Sequence, residues 1–525
     1  MAPPDAPRCY ALPLHLRAVR CANPGRVRQY WNMSLHFQAP DLVTREKLDR
    51  LSKGASPRIL DLFSGCGGLT TGFVRAGFES LGGIEIDPFA AATYALNFHR
   101  EDYDHHSKPI DIRSADIGDV LRVPQHALSS AVDVIVGGPP CPSFTRIGRA
   151  KLREVMDHPE AYRLDERTSL YLSAIRVIEQ TKPLAVLLEN VPDVLNQGGR
   201  SVGDEIAEQL SGIGYEVSYA LLNAANYGVP QTRDRFFLMA YASELGIRPT
   251  FPNPTHWLDI PRGYASSRNV ALKLISDPKD HPYYLPPSEA TPDLPPAVTT
   301  SEAIGDLPKV TERLPRGARR LNSPTLTPSC DTTSKYAREI RTWPQFMNKG
   351  FVLDHVTRSL GERDLRIFAA MSAGDQYPQA HALAVKFWNE AGGHDEQLRE
   401  YVPPYDPSKF PNKWRKLEPD RPSRTLMAHL GKDTYSHIHY DSAQARTITV
   451  REAARLQSFP DGFEFFGTMN PAFRQIGNAV APLLAFRLAE SLLSGLMIKA
   501  SSLHKWQPSI DISLSRRQAF SGIVS

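Results

Sequence analysis

Cysteine is scarce in this chain of 525 residues: there are five, Cys9, Cys21, Cys66, Cys141 and Cys330. They are odd in number and widely spaced, and no C-x-x-C pair occurs. This excludes a disulfide framework and a structural zinc site, and a reducing compartment is expected. No other cluster reads as a metal site. Long apolar runs are also missing; none approaches the roughly 18 residues that span a bilayer. The opening "MAPPDAPRCY" has no charged segment followed by an apolar block, so no secretory signal is expected. Charge of one sign is not in excess. Lys and Arg total 61 against 57 Asp and Glu, a formal net charge of +4. That excludes a histone-like polycation and permits contact with nucleic acid without demanding it.

What is present is enough apolar residue, 41%, for a large core distributed over two or three lobes. Residues 1–55 read as an extension with one short helix at "TREKLDRL". From residue 58 the texture changes. "RILDLF", "LGGIEI", "VDVIV", "LAVLLE" and "RFFLMAY" are short apolar runs with the length of buried strands. Between them, "LTTGFVRAGF", "PFAAATYALNFH" and "SLYLSAIRVIEQ" carry helical periodicity, and Asp87 stands as an N-cap before Pro88. Strands alternating with amphipathic helices predict an α/β fold with a doubly wound, mostly parallel sheet over residues 56–242. Ligands bind at the carboxyl ends of such strands, which brings "FSGCGG", "EIDP", "GGPPCP" and "ENVP" to one rim.

About half of the 44 prolines fall between 241 and 430, so residues 243–440 are expected to form a loop-rich lobe. Its modest basic excess is interleaved with aromatics such as Tyr336, Trp343, Phe346, Tyr405 and Trp414. That pattern suits either an ordinary solvated surface or a lobe facing nucleic acid. Helices return at 441–497 with "TVREAARLQSF" and "NAVAPLLAFRLAESLLSG", the latter expected to stop at Gly495; residues 498–525 read as a tail.

The rim residues carry chemistry. In "DLFSGCGGLTTGF" the spacing Gly65-x-Gly67-Gly68 lacks a third glycine, Thr70 standing there, and no phosphate-loop lysine follows. Glu85 ends the next strand, where a carboxylate suits a ribose diol. The pocket reads as a nucleoside site without a phosphate cradle, which an adenosyl cofactor fits; the alternative is a tight turn with no ligand. In "GGPPC" the stiff approach presents Cys141, whose thiolate can add to an electrophilic carbon; the alternative is a small buried thiol. A zinc deaminase is excluded, because Phe144 stands where its second cysteine belongs. Glu189, bracketed by apolar residues, should hold its proton and can donate it, unless it is a helix N-terminal acid. Arg233 and Arg235 point to the same side and suit carbonyl oxygens or phosphates, unless they are a surface pair.

Taken in order, "DLFSGCGG", "GGIEIDPFAAATYALNF", "ADIGDV", "GGPPCPSFT", "LENVPDVL", "YGVPQTRDRFF", "RTITVREAARLQSFPDGF" and "QIGNAVAP" resemble the C5-cytosine DNA methyltransferase family of the bacterial restriction–modification type. The resemblance covers residues 58–242 and 421–495. It implies a Rossmann-like methyltransferase fold with a target-recognition domain, and S-adenosyl-L-methionine as cofactor. It implies that Cys141 attacks C6 of a flipped cytosine, that Glu189 contacts N3 and the exocyclic amine, and that Arg235 holds O2 with Arg233 nearby. For the cofactor it implies Phe63 against the adenine and Asp116 at the adenine amine. Gly65 and Gly67 would lie by the methionine part and Glu85 at the ribose, Ile86, Pro140, Leu170, Asn478 and Val480 completing the pocket. Thr425 would touch the DNA backbone. Double-stranded DNA, a paired restriction endonuclease, monomeric action and a cytoplasmic, nucleoid-associated location follow from the same resemblance. This chain departs at Pro142, where Gln is usual, and at Thr145, where Ser is common; closure over the base is expected to differ. "FTRIGR" is similar to the transfer-RNA branch of the family, but the Cys-Phe-Thr signature of that branch is absent. A non-catalytic DNA-binding relative is opposed by the intact Cys, Glu and Arg set.

Overall fold

The structure, a computed structural model, describes residues 40–140, 166–310, 313–314, 334–348 and 350–503. Cys141, Pro142 and Thr145 lie outside the described residues, as do Cys9, Cys21 and Cys330.

Short apolar runs build the sheet. β1 (Arg58–Leu62), β2 (Glu79–Ile84), β3 (Val134–Gly137), β4 (Ala185–Asn190), β5 (Tyr215–Asn223) and β6 (Asp234–Ala242) lie in the order β2-β1-β3-β4-β6-β5. The first four strands are mutually parallel, and β6 runs antiparallel to both neighbours. Alternate residues bury on opposite faces. Ile59, Val134, Val136 and Leu187 enter one core, and Leu60, Leu62, Ile135 and Leu188 the other. Both faces are covered, which is why the runs read as continuously apolar.

The helices that flank the sheet are α1 (Leu42–Ser52), α2 (Gly68–Arg75), α3 (Pro88–Phe98), α4 (Ile117–Leu121), α5 (Glu166–Thr181) and α6 (Val202–Gly212). Farther along come α7 (Arg262–Ala271), α8 (Glu362–Ala370), α9 (Tyr377–Glu390), α10 (Val450–Leu456), α11 (Met469–Asn478) and α12 (Pro482–Leu503). α3 starts as its sequence predicts: the Asp87 carboxylate accepts from the amides of Phe89 and Ala90. One core face is closed by α1, α2 and α12, the other by α5 and α6.

α12 buries Leu484, Leu488, Leu492 and Leu496 along one stripe and lies directly on α2. The approach requires glycine. A Cβ on Gly72 would stand 2.4 Å from Phe486 N, and one on Gly68 2.3 Å from Val480 O. Gly495, expected as the stop of this helix, instead lies inside it. A Cβ there would stand 2.7 Å from the Tyr241 hydroxyl, so the glycine makes room for a β6 side chain and does not terminate the helix.

The described residues of 243–440 hold short helices, loops and a two-stranded pairing of Arg313–Leu314 with Thr357–Arg358. Of the interleaved aromatics, Tyr336, Trp343 and Phe346 bury in the core beside α2 and α12. Trp414 joins Phe368 and Tyr377 in a separate small core with α8 and α9, and Tyr405 is exposed.

Candidate functional site

A cleft of about 650 Å³ opens at the carboxyl ends of β1 to β4. Phe63, Gly65, Glu85, Ile86, Pro140, Leu170, Glu189, Arg233, Arg235, Asn478 and Val480 all line it. The ends of separate strands and the far end of the chain thus meet in one cavity.

The turn after β1 shapes the first half. Phe63 has a φ of 56° and Gly65 one of 55°, so the chain doubles back at once and exposes its backbone to the cleft. Glu85 fixes this turn: its carboxylate accepts from Gly65 N at 2.9 Å and from Asp87 N at 2.7 Å. Burial raises the Glu85 pKa against those hydrogen bonds. Ile86, 60% exposed, and the partly buried Phe63 offer apolar faces for a flat ring.

Asp61 also lines the cleft and was not singled out in the sequence. It occupies an inward slot of β1 that alternation reserves for an apolar side chain. Its Oδ2 accepts from Thr70 Oγ1 at 2.7 Å, while Oδ1 has no partner among the described residues. Burial, with the Glu85 charge adding and the Thr70 bond opposing, lifts its pKa to about 7. Ser64 Oγ is likewise buried and unpartnered there. Two orphaned polar atoms in the cleft wall fit the ammonium and carboxylate end of an amino-acid-bearing nucleoside.

"GGPP" sets the second half. A Cβ on Gly137 would stand 2.5 Å from Leu62 O, and one on Gly138 3.2 Å from Glu189 Oε2. The two glycines therefore let β3 approach β1 and the Glu189 carboxylate. Asn190 Nδ2 donates to Pro139 O at 2.8 Å, clamping the approach to the end of β4. Glu189 Oε1 stands 2.9 Å from Arg235 Nε. Burial raises the Glu189 pKa, and the Arg235 and Arg233 charges oppose it.

Four expected residues do other things. Gly67, with a φ of 93°, caps α2 and faces the rings of Phe98 and Tyr94 instead of the cleft. Asp116 caps α4: its Oδ1 accepts from Gly118 N, Asp119 N and Gln125 Nε2, and it does not line the cleft. Asp111 does, held by Arg113, whose hydrogen bonds pull the carboxyl below the usual range. Arg233 lines the cleft but spends its guanidinium on carbonyls. It donates to Leu426 O at 2.6 Å, Gly477 O at 3.0 Å and Ala479 O at 3.3 Å. Thr425 donates to Thr232 O at 2.8 Å and stands outside the cleft wall. Cys66 is buried with Sγ 3.7 Å from Gln475 O, and burial pushes its thiol up, so it is no nucleophile.

Residues 57–494 match the C-5 cytosine-specific DNA methylase family. M.OihORF3336P of Oceanobacillus iheyensis is 36% identical over 466 residues, covering 83% of this chain and 95% of that relative. The type II methyltransferase M.AgeI of Thalassovita gelatinovora is 29% identical over 474 residues, 83% of this chain and 99% of its own. A crystal structure of an E. coli prophage protein, 23% identical, superposes with a TM-score of 0.54 over 84% of this chain and 99% of that one, a likeness of fold. A family match that runs unbroken from the strand before the glycine turn to the helix that closes over it leaves one assignment: the chain belongs to the C-5 cytosine-specific DNA methylases and is a DNA cytosine-5 methyltransferase.

Proposed function

We propose that the cleft holds S-adenosyl-L-methionine beside a cytosine flipped from duplex DNA, and that Cys141 forms the covalent adduct. The observation that carries this is the Glu189–Arg235 pair, 2.9 Å apart, at the end of the Gly-Gly-Pro-Pro approach to Cys141. Attack of the Cys141 thiolate on C6 makes C5 nucleophilic. Glu189, whose pKa burial raises, donates in its protonated form to N3 and accepts from the exocyclic amine, which spreads the charge of the adduct. Arg235 orients Glu189 and holds O2, and Arg233 anchors the wall behind them. S-Adenosyl-L-methionine, when bound, supplies the methyl group that C5 takes. Loss of the C5 proton and departure of the Cys141 thiolate then release 5-methylcytosine.

Phe63, Ile86, Pro140 and Leu170 would enclose the adenine, Glu85 the ribose, and Gly65, Asn478 and Val480 the methionine part. Asp111 replaces Asp116 as the carboxylate for the adenine amine, since Asp111 lines the cleft and Asp116 does not. Gly67 serves the turn. Residues 56–242 with 441–497 would form the catalytic domain and 243–440 the target-recognition domain, where Thr425 would steady the DNA backbone near its end. The type II relatives support pairing with a restriction endonuclease; monomeric action on DNA and a cytoplasmic, nucleoid-associated site complete the proposal. Bisulfite sequencing of DNA from a host expressing the chain tests the reading. 5-Methylcytosine in one repeated sequence context is expected, and none with Cys141→Ser. Full activity in Cys141→Ser would overturn the adduct, and 5-methylcytosine found by the same method in transfer RNA alone would overturn the substrate.

A further inference from the structure

A second cavity, of about 350 Å³, lies between residues 409–413 and 427–436. Its walls include Lys409, Phe410, Lys413, Met427, His429 and Asp433. Phe410 is 52% exposed and Met427 51%, although both are large and apolar. Lys409 Nζ, 74% exposed at its side chain, stands 3.9 Å from Asp406 Oδ2, and Lys413 Nζ stands 3.7 Å from Asp433 Oδ2 and 4.0 Å from the centre of the Tyr405 ring. An exposed ring and thioether among cations suit a base with its phosphate.

The cavity is held rigidly. Trp414, which follows Lys413, is buried against Phe368 and Tyr377 and stacks on Tyr435 at 5.1 Å. Arg415 N donates to Tyr435 O and Ile438 N to Arg415 O, tying one wall to the other. Arg424 also donates to Asn412 O, at 3.4 Å.

The cavity also adjoins the catalytic cleft. A Cβ on Gly477 would stand 2.3 Å from Met427 C, so the two backbones touch. Gly477 lines the catalytic cleft and Met427 the second cavity. Only these two touching backbone segments stand between them at this point.

We infer that this cavity seats a nucleotide of the duplex beside the target cytosine and so sets sequence preference. Phe410 and Met427 take the base, and Lys409 takes its phosphate. The inference rests on the proposed action on duplex DNA. The test uses the full chain with Phe410→Ala, Met427→Ala and Lys409→Ala, substitutions at half-exposed or exposed positions. Methylation of random-sequence duplexes is mapped by bisulfite sequencing, and DNA binding is read separately by fluorescence anisotropy across salt. Phe410→Ala and Met427→Ala are expected to weaken DNA binding and raise KM about 10-fold and to relax one motif position. In both, kcat and S-adenosylhomocysteine affinity should stay within about twofold. Lys409→Ala is expected to keep the motif and flatten the slope of log affinity against log salt by about one. Unchanged DNA binding and motif in the Phe410 and Met427 variants overturn the inference, as does a loss confined to kcat. A parent chain that binds DNA without methylating it, with binding still weakened by these variants, overturns the proposed chemistry and leaves the cavity assigned.

Discussion

Glu189 is pulled two ways. Burial favours its neutral form, and Arg235 at 2.9 Å favours the charged one; burial prevails. A carboxyl raised in this way keeps its proton above the ordinary carboxylate range and loses it as pH rises further. The rate limb that depends on that proton therefore falls with rising pH. Glu189→Gln is expected to lower kcat by at least about 100-fold and to remove this upper limb, while S-adenosylhomocysteine binding stays within about twofold. Steady-state rates across pH, with calorimetry for the ligand, check it. Asp61 makes a stability prediction of definite sign. Its folded pKa, about 7, lies above the ordinary 3.8, so the fold binds the extra proton. The associated stability is complete below about pH 4 and is lost as pH rises to about 7. Relative to Asp61→Asn, the parent should lose on the order of 4 kcal/mol across that window. Denaturant midpoints of the two proteins at pH 4 to 8, without ligand, measure this; parallel curves would refute it.

At the scale of elements, glycine decides which helices can meet. On Gly72 a Cβ would meet backbone, Phe486 N at 2.4 Å and Ala485 C at 2.6 Å, and backbone of a packed helix cannot step aside. On Gly495 it would meet first the hydroxyl of Tyr241 at 2.7 Å, the far end of a side chain that donates to Leu492 O. Gly72→Ala is expected to cost about 3 kcal/mol, and Gly495→Ala less, because only a side-chain tip must shift and helix propensity offsets part of that cost. Thermal melts of both variants check the order. The same two glycines show how far the sequence could be read. Strand ends and the turn residues after them are local features, so the positions around Phe63, Glu85, Pro140 and Glu189 were legible. Gly495 looked like a stop because its partner, Tyr241, is distant in sequence and invisible to local pattern. Asp111 and Asp116 each precede isoleucine in "IDIRSADIG", so the chain alone offers two equivalent steps. Only the fold separates them. Ile110 N donates to Glu85 O at 2.6 Å and brings Asp111 to the cleft, whereas Asp116 begins a helix.

At the scale of the whole molecule, the cleft is built from both ends of the described chain. Asp61 to Ala90 supply one wall and Arg474 to Val480 another. These segments are joined by the Arg474–Asp87 ion pair at 2.8 Å and, just past the first wall, by Thr93 donating to Gln475 Oε1 at 2.6 Å, while Arg233 ties the far wall to the segment before β6 through the Gly477 and Ala479 carbonyls. A ligand that touches both walls must stabilise both, because anything that binds only the assembled form opposes its opening. With S-adenosylhomocysteine at about 100 times its Kd, the stabilisation is about 2.7 kcal/mol. Hydrogen exchange should therefore slow in α2 and α3 and, in step with them, in α11 and the start of α12, although some 400 residues separate the two segments. Protection confined to the first wall would mean that α11 is not part of the binding unit. Arg233→Met sharpens the test. It removes the bonds that tie the far wall to the segment before β6, at a site where methionine fills much of the same volume. Ligand protection is then expected to persist in α2 and to weaken in α11, which separates the coupling between the walls from the binding itself.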